Sequence, residues 1–359
     1  MSTKIYLNTA SCGLLLPETI QPSADFYNAM LTESSAAAEH VRDKGLPGIR
    51  ETVAEFIESP VENLAFIPNF SFGLNSLVQS LKGTERVLLY DQDYPSLLEP
   101  FRINKFPITW IDSPDGFTIE TDRLKALIIE QKIELLVISH VQWLTGFTLD
   151  LQDIGTFCRN HKVWFIVDAT QSLGALPVYP INQSIDVLIS SNYKWMNAGF
   201  GTGIMYISDQ FIATYEPVVG GFASYIPREG QMVYEPSVRS YEPGHLNMHG
   251  LLVLNAAVKH KLSIGIDSIA EHNRRLTDAF LKALPPGLAL LGPLTLTNRC
   301  SIVMLRDTTG ELHQHISSQG FIAIRRNGNI RISFHFHNTE AEVGKLLEHL
   351  EWPGFYPNH

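Results

Sequence analysis

The stretch from Val163 to Ile207 constrains the fold most, because it contains two apolar runs that each end in polar side chains. The first run, VWFIVD, ends at Asp168, and the second, IDVLISS, leads to Lys194. Short continuous apolar runs are typical of strands that are buried on both faces of a parallel sheet. The carboxyl ends of such strands border one crevice, so the sequence predicts that Asp168 and Lys194 face the same site.

An acid and a lysine in one crevice match the needs of one cofactor. Pyridoxal 5'-phosphate forms an imine with a lysine and takes an acid beside its pyridine nitrogen. Taken singly, a strand-end acid also fits the role of a cap, and a Tyr-Lys pair also fits a surface position. In this order and spacing, Asp168 and Lys194 predict a pyridoxal phosphate enzyme.

The motifs around these two residues resemble a known family. DATQSLG, which begins at Asp168, and SSNYK, which ends at Lys194, resemble motifs of the class V aminotransferases of fold-type I, and the resemblance covers nearly the whole chain. Cysteine desulfurases, kynureninase and isopenicillin N epimerase belong to this family. The resemblance implies an α/β fold in which helices sandwich a mostly parallel seven-stranded sheet, with a smaller C-terminal α+β domain.

The resemblance also implies how the chain is divided and assembled. Residues 1–15 would form an arm over the active site, residues 16–248 the large cofactor-binding domain, and residues 249–359 a linker helix and the small domain. The implied assembly is a homodimer, and the implied ligands are pyridoxal phosphate and a small amino acid or amine.

Five residues of the central stretch have counterparts in the family. Asp168 corresponds to the catalytic acid at the pyridine nitrogen, and Gln171 to a hydrogen-bond donor to the ring hydroxyl. Lys194 corresponds to the catalytic Schiff-base lysine. Ser191 and Tyr193 stand at phosphate-binding positions.

A second phosphate-binding element is predicted after the short apolar run from Leu64 to Ile67. A helix follows this run, and a helix N-terminus presents unpaired amides and a partial positive charge that suit a phosphate. The turn resembles the family's NATTAIN and GTTEALN, which implies that Asn69, Phe70, Ser71 and Phe72 bind the cofactor. For Ser71 alone, an ordinary N-cap is the alternative.

Two further turns are expected to meet the cofactor. Tyr94 follows a buried strand and resembles the aromatic ring that stacks on the pyridine face, although core packing also explains an aromatic there. VQWLTG resembles the family's VxYxTG turn, in which Thr145 would approach the cofactor and Trp143 replaces the asparagine of desulfurases. His140, just before this turn, fits a structural histidine better than a catalyst.

The segment YEPGHLN resembles the family's FEAGTPN, whose threonine reaches across the dimer to the partner's cofactor phosphate. His245 replaces that threonine and can also donate to a phosphate, so it is predicted to bind the cofactor. A solvated loop histidine is the alternative.

The substrate site is predicted from the two ends of the chain. NIRISFHFHNTEAEV resembles VRVSxHxYNTEEEV, so Arg331 would hold the substrate carboxylate through its planar fork. An edge-strand surface arginine is the alternative. The N-terminal KIYLNTASCG resembles a family segment that lies over the active site, which would place Ala10 and Ser11 near the substrate. An arm that only packs on the surface is the alternative. His335 and His337 lack further ligands in a clear pattern, so no metal site is predicted.

Composition excludes several other functions. The formal net charge of −10 and the dispersed basic residues argue against a nucleic-acid partner. The three cysteines, Cys12, Cys158 and Cys300, are far apart, which argues against disulfides and fits a reducing cytoplasm. The start, MSTKIYLN, lacks a secretory pattern, and no apolar run approaches a membrane span.

One departure from the family narrows the expected reaction. Desulfurases carry a nucleophilic cysteine shortly before the arginine strand, whereas this chain has IRRNGN there. The sequence therefore predicts an aminotransferase, which moves an amino group from a small amino acid or amine to a 2-oxo acid through an imine of Lys194. The first alternative is an epimerase or a kynureninase-like lyase, and the second is a protein that keeps the cofactor for a structural or regulatory role.

Overall fold

The computed structural model describes residues 4–113, 115–234 and 236–351, through which helices and strands alternate. The strands are β1 (Ile5–Tyr6), β2 (Leu64–Ile67), β3 (Val87–Tyr90), β4 (Ile108–Ile111), β5 (Leu135–Ser139), β6 (Trp164–Asp168), β7 (Val187–Ser191), β8 (Gly203–Ile207), β9 (Tyr225–Arg228), β10 (Gln231–Tyr234), β11 (Leu290–Leu291), β12 (Ile302–Arg306), β13 (Phe321–Ile322), β14 (Ile324–Arg326) and β15 (Asn329–Ser333). The α-helices are α1 (Pro17–Thr32), α2 (Ser35–His40), α3 (Leu46–Phe56), α4 (Phe70–Ser80), α5 (Pro95–Ile103), α6 (Thr121–Glu130), α7 (Leu151–Asn160), α8 (Asp209–Thr214), α9 (Met248–Ile264), α10 (Ile266–Lys282), α11 (Glu311–Ser318) and α12 (Glu340–Leu350).

The main sheet has seven strands in the order β2, β8, β7, β6, β5, β3, β4. Neighbouring strands run parallel, except that β8 is antiparallel to both β2 and β7. The predicted fold class, a mostly parallel seven-stranded sheet, is confirmed. The carboxyl ends of β5, β6 and β7 consequently lie side by side at one edge, where Ser139 pairs in register with Asp168 and Asp168 with Ile189.

Two hydrophobic cores cover the two faces of this sheet. Along β5, Leu136 and Ile138 pack into the core beneath α3, α6, α7 and α9, whereas Leu135 and Val137 pack into the core beneath α4 and α5. Every residue of β5 is buried because both faces are covered. This explains why the strand sequences are continuous apolar runs rather than alternating ones.

The C-terminal part forms a separate, smaller sheet with the order β11, β12, β15, β14, in which all pairs are antiparallel. It packs with α10, α11 and α12 around a third core that also includes Leu7 of the N-terminal segment. The two-residue strand β1 pairs in parallel with β13. The division of the chain into an arm, a large domain and a small domain stays a prediction, and residues 1–3 and 352–359 lie outside the described residues.

After β1 the N-terminal segment crosses from the small sheet to the edge of the main sheet. The amide of Gly13 donates to the carbonyl of Tyr193 at 2.8 Å, and Asn197 Nδ2 donates to the carbonyl of Leu14 at 2.9 Å. These contacts place the segment against the turn that carries Lys194. In the described ranges, no helix is long and apolar enough to cross a membrane.

Candidate active site

A cavity of about 470 Å³ opens at the carboxyl edge of the main sheet. Its walls come from the turn before α4, the turn after β3 and the ends of β5, β6 and β7. The lining residues are Pro68, Asn69, Phe70, Ser71, Tyr94, Ser139, Trp143, Asp168, Thr170, Gln171, Ser191, Tyr193, Lys194, Phe200 and Gly201. The prediction that Asp168 and Lys194 face one crevice agrees with this arrangement.

Lys194 lies in the turn after β7 and is only 7% exposed. Its Nζ lies 5.5 Å from the ring centroid of Tyr94 and 5.7 Å from that of Tyr193. Burial lowers the pKa of Lys194, the carboxylate of Asp168 opposes this, and the charge of Arg331 adds to it. The neutral form of the Lys194 amine is therefore more populated here than it would be in water. Only the neutral amine can accept a proton.

Asp168 ends β6 and is buried, with one carboxylate oxygen accepting the amide of Thr170 at 2.8 Å. No lysine, arginine or histidine nitrogen of the described residues comes within 4.0 Å of its carboxylate. Burial raises the pKa of Asp168, and the Thr170 hydrogen bonds oppose this. A buried acid without an ion pair is suited to a protonated ring nitrogen, which would supply the missing cation.

The N-terminus of α4 forms another wall of the cavity. Asn69 is the N-cap, and its Oδ1 accepts the amide of Phe72 at 2.9 Å. The amide of Phe70 donates to Ser191 Oγ at 2.8 Å, which joins this helix end to the end of β7. Ser71 lies in the same first turn and lines the cavity. Backbone amides and two serine hydroxyls therefore converge where an anion such as a phosphate is stabilised.

Aromatic side chains form a further part of the cavity wall. Tyr94 and Trp143 pack edge to face, with ring centroids 5.6 Å apart. Trp143 Nε1 is buried and finds no hydrogen-bond partner among the described residues. This donor is consequently free to serve a bound ligand.

Asp93, which the sequence interpretation missed, fixes the position of Tyr94. Its carboxylate accepts the amide of Tyr94 at 2.7 Å, the hydroxyl of Ser139 at 2.6 Å and the amide of Ser139 at 2.9 Å. Burial raises the pKa of Asp93, and the hydrogen bonds from Ser139 oppose this. A signal was present, since Asp93 is an acid just after the buried strand VLLY, as Asp168 is after VWFIV.

A second cavity, of about 340 Å³, adjoins the first and shares Tyr94, Trp143, Tyr193 and Lys194 with it. We call it the arginine cavity. Its other lining residues are Ala10, Ser11, Pro95, Arg326, Asn327 and Arg331. The three predicted substrate-binding residues therefore lie together beside Lys194.

Arg331 is 3% exposed and is held from two sides. Its Nη1 donates to the carbonyl of Trp143 at 2.7 Å and its Nη2 to Ser11 Oγ at 2.6 Å, while Nε has no partner among the described residues. Burial lowers the pKa of Arg331 to about 10, so the guanidinium stays charged at neutral pH. A buried guanidinium without a carboxylate partner is suited to an anionic ligand.

Three predicted cofactor residues lie elsewhere. Thr145 is buried and packs closely against Gly292. A Cβ added to Gly292 would lie only 2.9 Å from the Cβ of Thr145. Phe72 and His245 line a third cavity, of about 250 Å³, which touches the first through Pro68 and Gly201. The structure therefore does not bring Thr145, Phe72 or His245 to the walls of the first cavity.

Other predicted residues line the first cavity with their side chains partly engaged. Gln171 Oε1 accepts from Trp195 Nε1 at 2.7 Å, and its Nε2 donates to the carbonyl of Ala10 at 3.1 Å. Burial raises the pKa of Tyr193 to about 12, so its hydroxyl stays a hydrogen-bond donor.

Burial lowers the pKa of His140 to about 3, which keeps this histidine neutral, in line with a structural role.

The lining also includes residues that the sequence interpretation passed over. Ser139 and Arg326 end β5 and β14, and Thr170 and Phe200 lie in the segments after β6 and β7. Each is within a few residues of a residue that the sequence singled out, so adjacency was the available signal. In the ranges described, no group of three or more His, Cys, Asp or Glu side chains is arranged to hold a metal ion.

The residues at hand fit pyridoxal phosphate. An unpaired buried acid, a buried lysine, an aromatic wall and a helix N-terminus surround one cavity. Asn69, Ser71 and Ser191 would hold the phosphate, Asp168 the pyridine nitrogen, and Tyr94 one ring face. These features define a pyridoxal-phosphate-dependent enzyme of fold-type I.

The chain belongs to the class V aminotransferase family, because the sequence profile described as Aminotransferase class-V matches residues 5–346. A probable cysteine desulfurase of Pyrococcus abyssi is 27% identical over 329 residues, which cover 84% of this chain and 81% of the relative. An uncharacterized aminotransferase of Bacillus subtilis, YcbU, is 21% identical over 98% of this chain and 94% of its own.

Solved structures share the fold. The apo cysteine desulfurase of Thermococcus onnurineus superimposes with a TM-score of 0.85 at 21% identity, covering 97% of this chain and 94% of that one. The cystine C–S lyase C-DES, solved with its product cysteine persulfide, also gives 0.85, at 20% identity over 97% of each chain.

Proposed function

We propose that the protein is an aminotransferase that moves an amino group between a small amino acid or amine and a 2-oxo acid. The observation that carries this proposal is the placement of the buried Lys194 between the cavity that contains Asp168 and the arginine cavity that contains Arg331. A substrate bound by its carboxylate at Arg331 would therefore have its α-carbon near Lys194 Nζ.

Each of these side chains has a defined task. Arg331 binds the substrate carboxylate, with Ser11 and the Trp143 carbonyl fixing the plane of its guanidinium. Lys194 Nζ accepts the proton from the substrate α-carbon, and burial supports this by disfavouring the charged form. Asp168 holds a proton on the pyridine nitrogen. When bound, pyridoxal phosphate supplies the electron sink for the electron pair left at the α-carbon.

Cysteine desulfuration is less well supported than transamination. β14 and β15 are joined by the two-residue turn Asn327–Gly328, with φ values of 48° and 74°, which leaves no loop between these strands. None of the described residues that line the first cavity or the arginine cavity is a cysteine. Cys300 is buried, and burial raises the pKa of its thiol to about 11, so little thiolate is present near neutral pH.

Isotope transfer tests the proposed reaction. The purified holoenzyme would be given a panel of ¹⁵N-labelled amino acids together with 2-oxo acids, and the label would be followed by mass spectrometry. An aminotransferase places the label on the former 2-oxo acid. Turnover that inverts the α-carbon, or that releases a side-chain fragment, without label transfer would contradict the proposal and favour the epimerase or the lyase.

We further propose that the protein works as a homodimer in which His245 of one subunit contacts the phosphate bound in the other. The third cavity, which His245 lines, adjoins the cofactor cavity. Phe72, Phe200 and Phe222 are 42%, 68% and 81% exposed, so a second subunit that packs here would cover their apolar surface. A cytoplasmic location fits the three free cysteines.

Mixed subunits test this assembly. His245→Ala should weaken cofactor retention during dialysis, and mixing it with Lys194→Ala should restore one complete site per heterodimer. A light-scattering mass of a fully active single chain, or cofactor retention unchanged in His245→Ala, would contradict the shared site while leaving the role of Lys194 untouched.

A further inference from the structure

The arginine cavity contains a second arginine, Arg326, which the proposed reaction does not use. Arg326 ends β14, in the short hairpin that leads to Arg331 in β15. It is exposed, and its guanidinium makes no hydrogen bond or ion pair with the described residues. A cation that lines a substrate cavity without an internal partner is available to a ligand.

The hairpin register places the two arginines on one face. Arg326 pairs directly with Asn329, and Arg331 lies two residues further along β15. Directly opposed residues, and residues two apart in a strand, share a face of the sheet. Arg326 and Arg331 are therefore diagonal neighbours, and residues in such pairs are about 7–8 Å apart, within reach of long side chains.

Arg325 lies on the opposite face of the same strand and has a different role. Its Nη2 donates to the carbonyls of Asp307 and Thr308 at 3.0 and 2.8 Å, so it fastens the loop before α11. The two neighbouring arginines therefore differ in role: Arg325 stabilises the loop, whereas Arg326 lines the cavity.

The charged side chains that line the arginine cavity are all basic. Arg326, Arg331 and Lys194 line it, and none of its lining residues is an aspartate or glutamate. The charge of Arg326 also contributes to lowering the pKa of both Arg331 and Lys194, after burial as the main cause. One α-carboxylate at Arg331 would leave the charge of Arg326 without a counter-ion.

We propose that the arginine cavity takes a dicarboxylic substrate, an amino acid or 2-oxo acid whose side chain ends in a second carboxylate, with Arg331 binding the α-carboxylate and Arg326 the distal one. This inference rests on the proposed function and names its substrate class. Arg326 is then a specificity-determining residue. Its planar guanidinium binds the side-chain carboxylate of a dicarboxylic substrate, and a substrate with a neutral side chain cannot make this contact.

Direct binding tests the site without turnover. Glutarate and its monocarboxylic counterpart butyrate serve as probes of the holoenzyme, measured by isothermal titration calorimetry. Glutarate should bind about 10- to 100-fold more tightly than butyrate, as expected for one charge-assisted bidentate contact. Arg326→Gln should remove most of this preference, whereas the matched control Arg325→Gln should keep it. Equal affinities for the two probes in the wild type, or equal losses in both variants, would overturn the proposal.

Kinetics separate this inference from the proposed function. In the label-transfer assay, Arg326→Gln should lower the ratio of kcat/KM for dicarboxylic over neutral amino acids by about 10- to 100-fold. Amino transfer without any dicarboxylic preference would overturn the substrate class and leave the aminotransferase standing. Tight glutarate binding lost in Arg326→Gln, but with no amino transfer to any 2-oxo acid, would support the site and overturn the reaction.

Discussion

Gly13 lies where the N-terminal segment touches the lysine turn, so Gly13→Ala tests how that segment holds the substrate site. The Gly13 amide donates to the Tyr193 carbonyl at 2.8 Å. A Cβ on Gly13 would lie 1.9 Å from the Lys194 carbonyl oxygen and 2.9 Å from Asn197 Nδ2. The φ of Gly13 lies outside the left-handed region, so the penalty comes from this contact and not from backbone strain.

The size of the effect follows from the distance. The oxygen is backbone and cannot rotate away, so the segment must withdraw by about 1.5 Å to reach an ordinary contact. Such overpacking costs about 1–3 kcal/mol, and loss of the Gly13 hydrogen bond adds about 1 kcal/mol. Ser11, two residues earlier, would move away from Arg331 Nη2, and a displacement of this size lowers kcat/KM by about 100-fold.

Thermal unfolding and steady-state kinetics measure the two consequences. Gly48→Ala is the matched control, because a Cβ at this exposed position in α3 would meet nothing within 4 Å. The control should be equal to the wild type or more stable by about 0.5–1 kcal/mol. A Gly13→Ala protein with the wild-type melting temperature and unchanged carboxylate binding would refute the reasoning.

Three further substitutions probe the site and its support. Asp168→Asn should retain the cofactor by absorbance yet lose most activity, because an amide does not hold the pyridine nitrogen protonated, and an unchanged rate would assign Asp168 another role. Arg331→Lys should raise KM for α-carboxylate substrates by about 10- to 1000-fold, since a point charge replaces a bidentate fork, and better turnover of amines without a carboxylate would contradict this. Glu242→Gln should cost about 3–5 kcal/mol in urea unfolding because it leaves the buried Arg50, 2.8 Å away, without a counter-charge. The exposed Glu271→Gln should leave the urea midpoint unchanged, and equal effects of the two substitutions would contradict this.

The sequence predicted those parts of the site that are encoded by patterns within a few consecutive residues. Asp168 and Lys194 stand at the ends of continuous apolar runs, and a run of that kind already specifies a strand covered on both faces. The helix N-terminus after β2 likewise follows from a strand, a polar turn and a helix within a few residues, but its N-cap is Asn69 and not Ser71, the residue that the sequence offered for that role. The family resemblance implied a mostly parallel seven-stranded sheet but not its strand order, because no short-range pattern encodes which strands become neighbours.

The parts that sequence reasoning missed depend on contacts between distant segments. Asp93 meets Ser139 only because β3 and β5 are adjacent, and Arg326 faces the arginine cavity only because of the hairpin register. Lys261 is the clearest case, since a lysine in KHKLSIG suggests a solvated helix face. The structure buries it, with Nζ donating to Asn197 Oδ1 at 3.0 Å and lying 4.5 Å from the Phe336 ring centroid. Burial lowers the pKa of Lys261 well below its usual value.

The most direct test of the account is to locate the lysine that carries pyridoxal phosphate. Borohydride reduction of the purified holoenzyme, proteolysis and mass spectrometry would find the phosphopyridoxyl group. Lys194 and Lys261 are the informative alternatives, because both are buried and in both burial disfavours the charged amine. The label should lie on the peptide containing Lys194 and should be lost in Lys194→Ala. A label on Lys261, or a label that persists in Lys194→Ala, would contradict it.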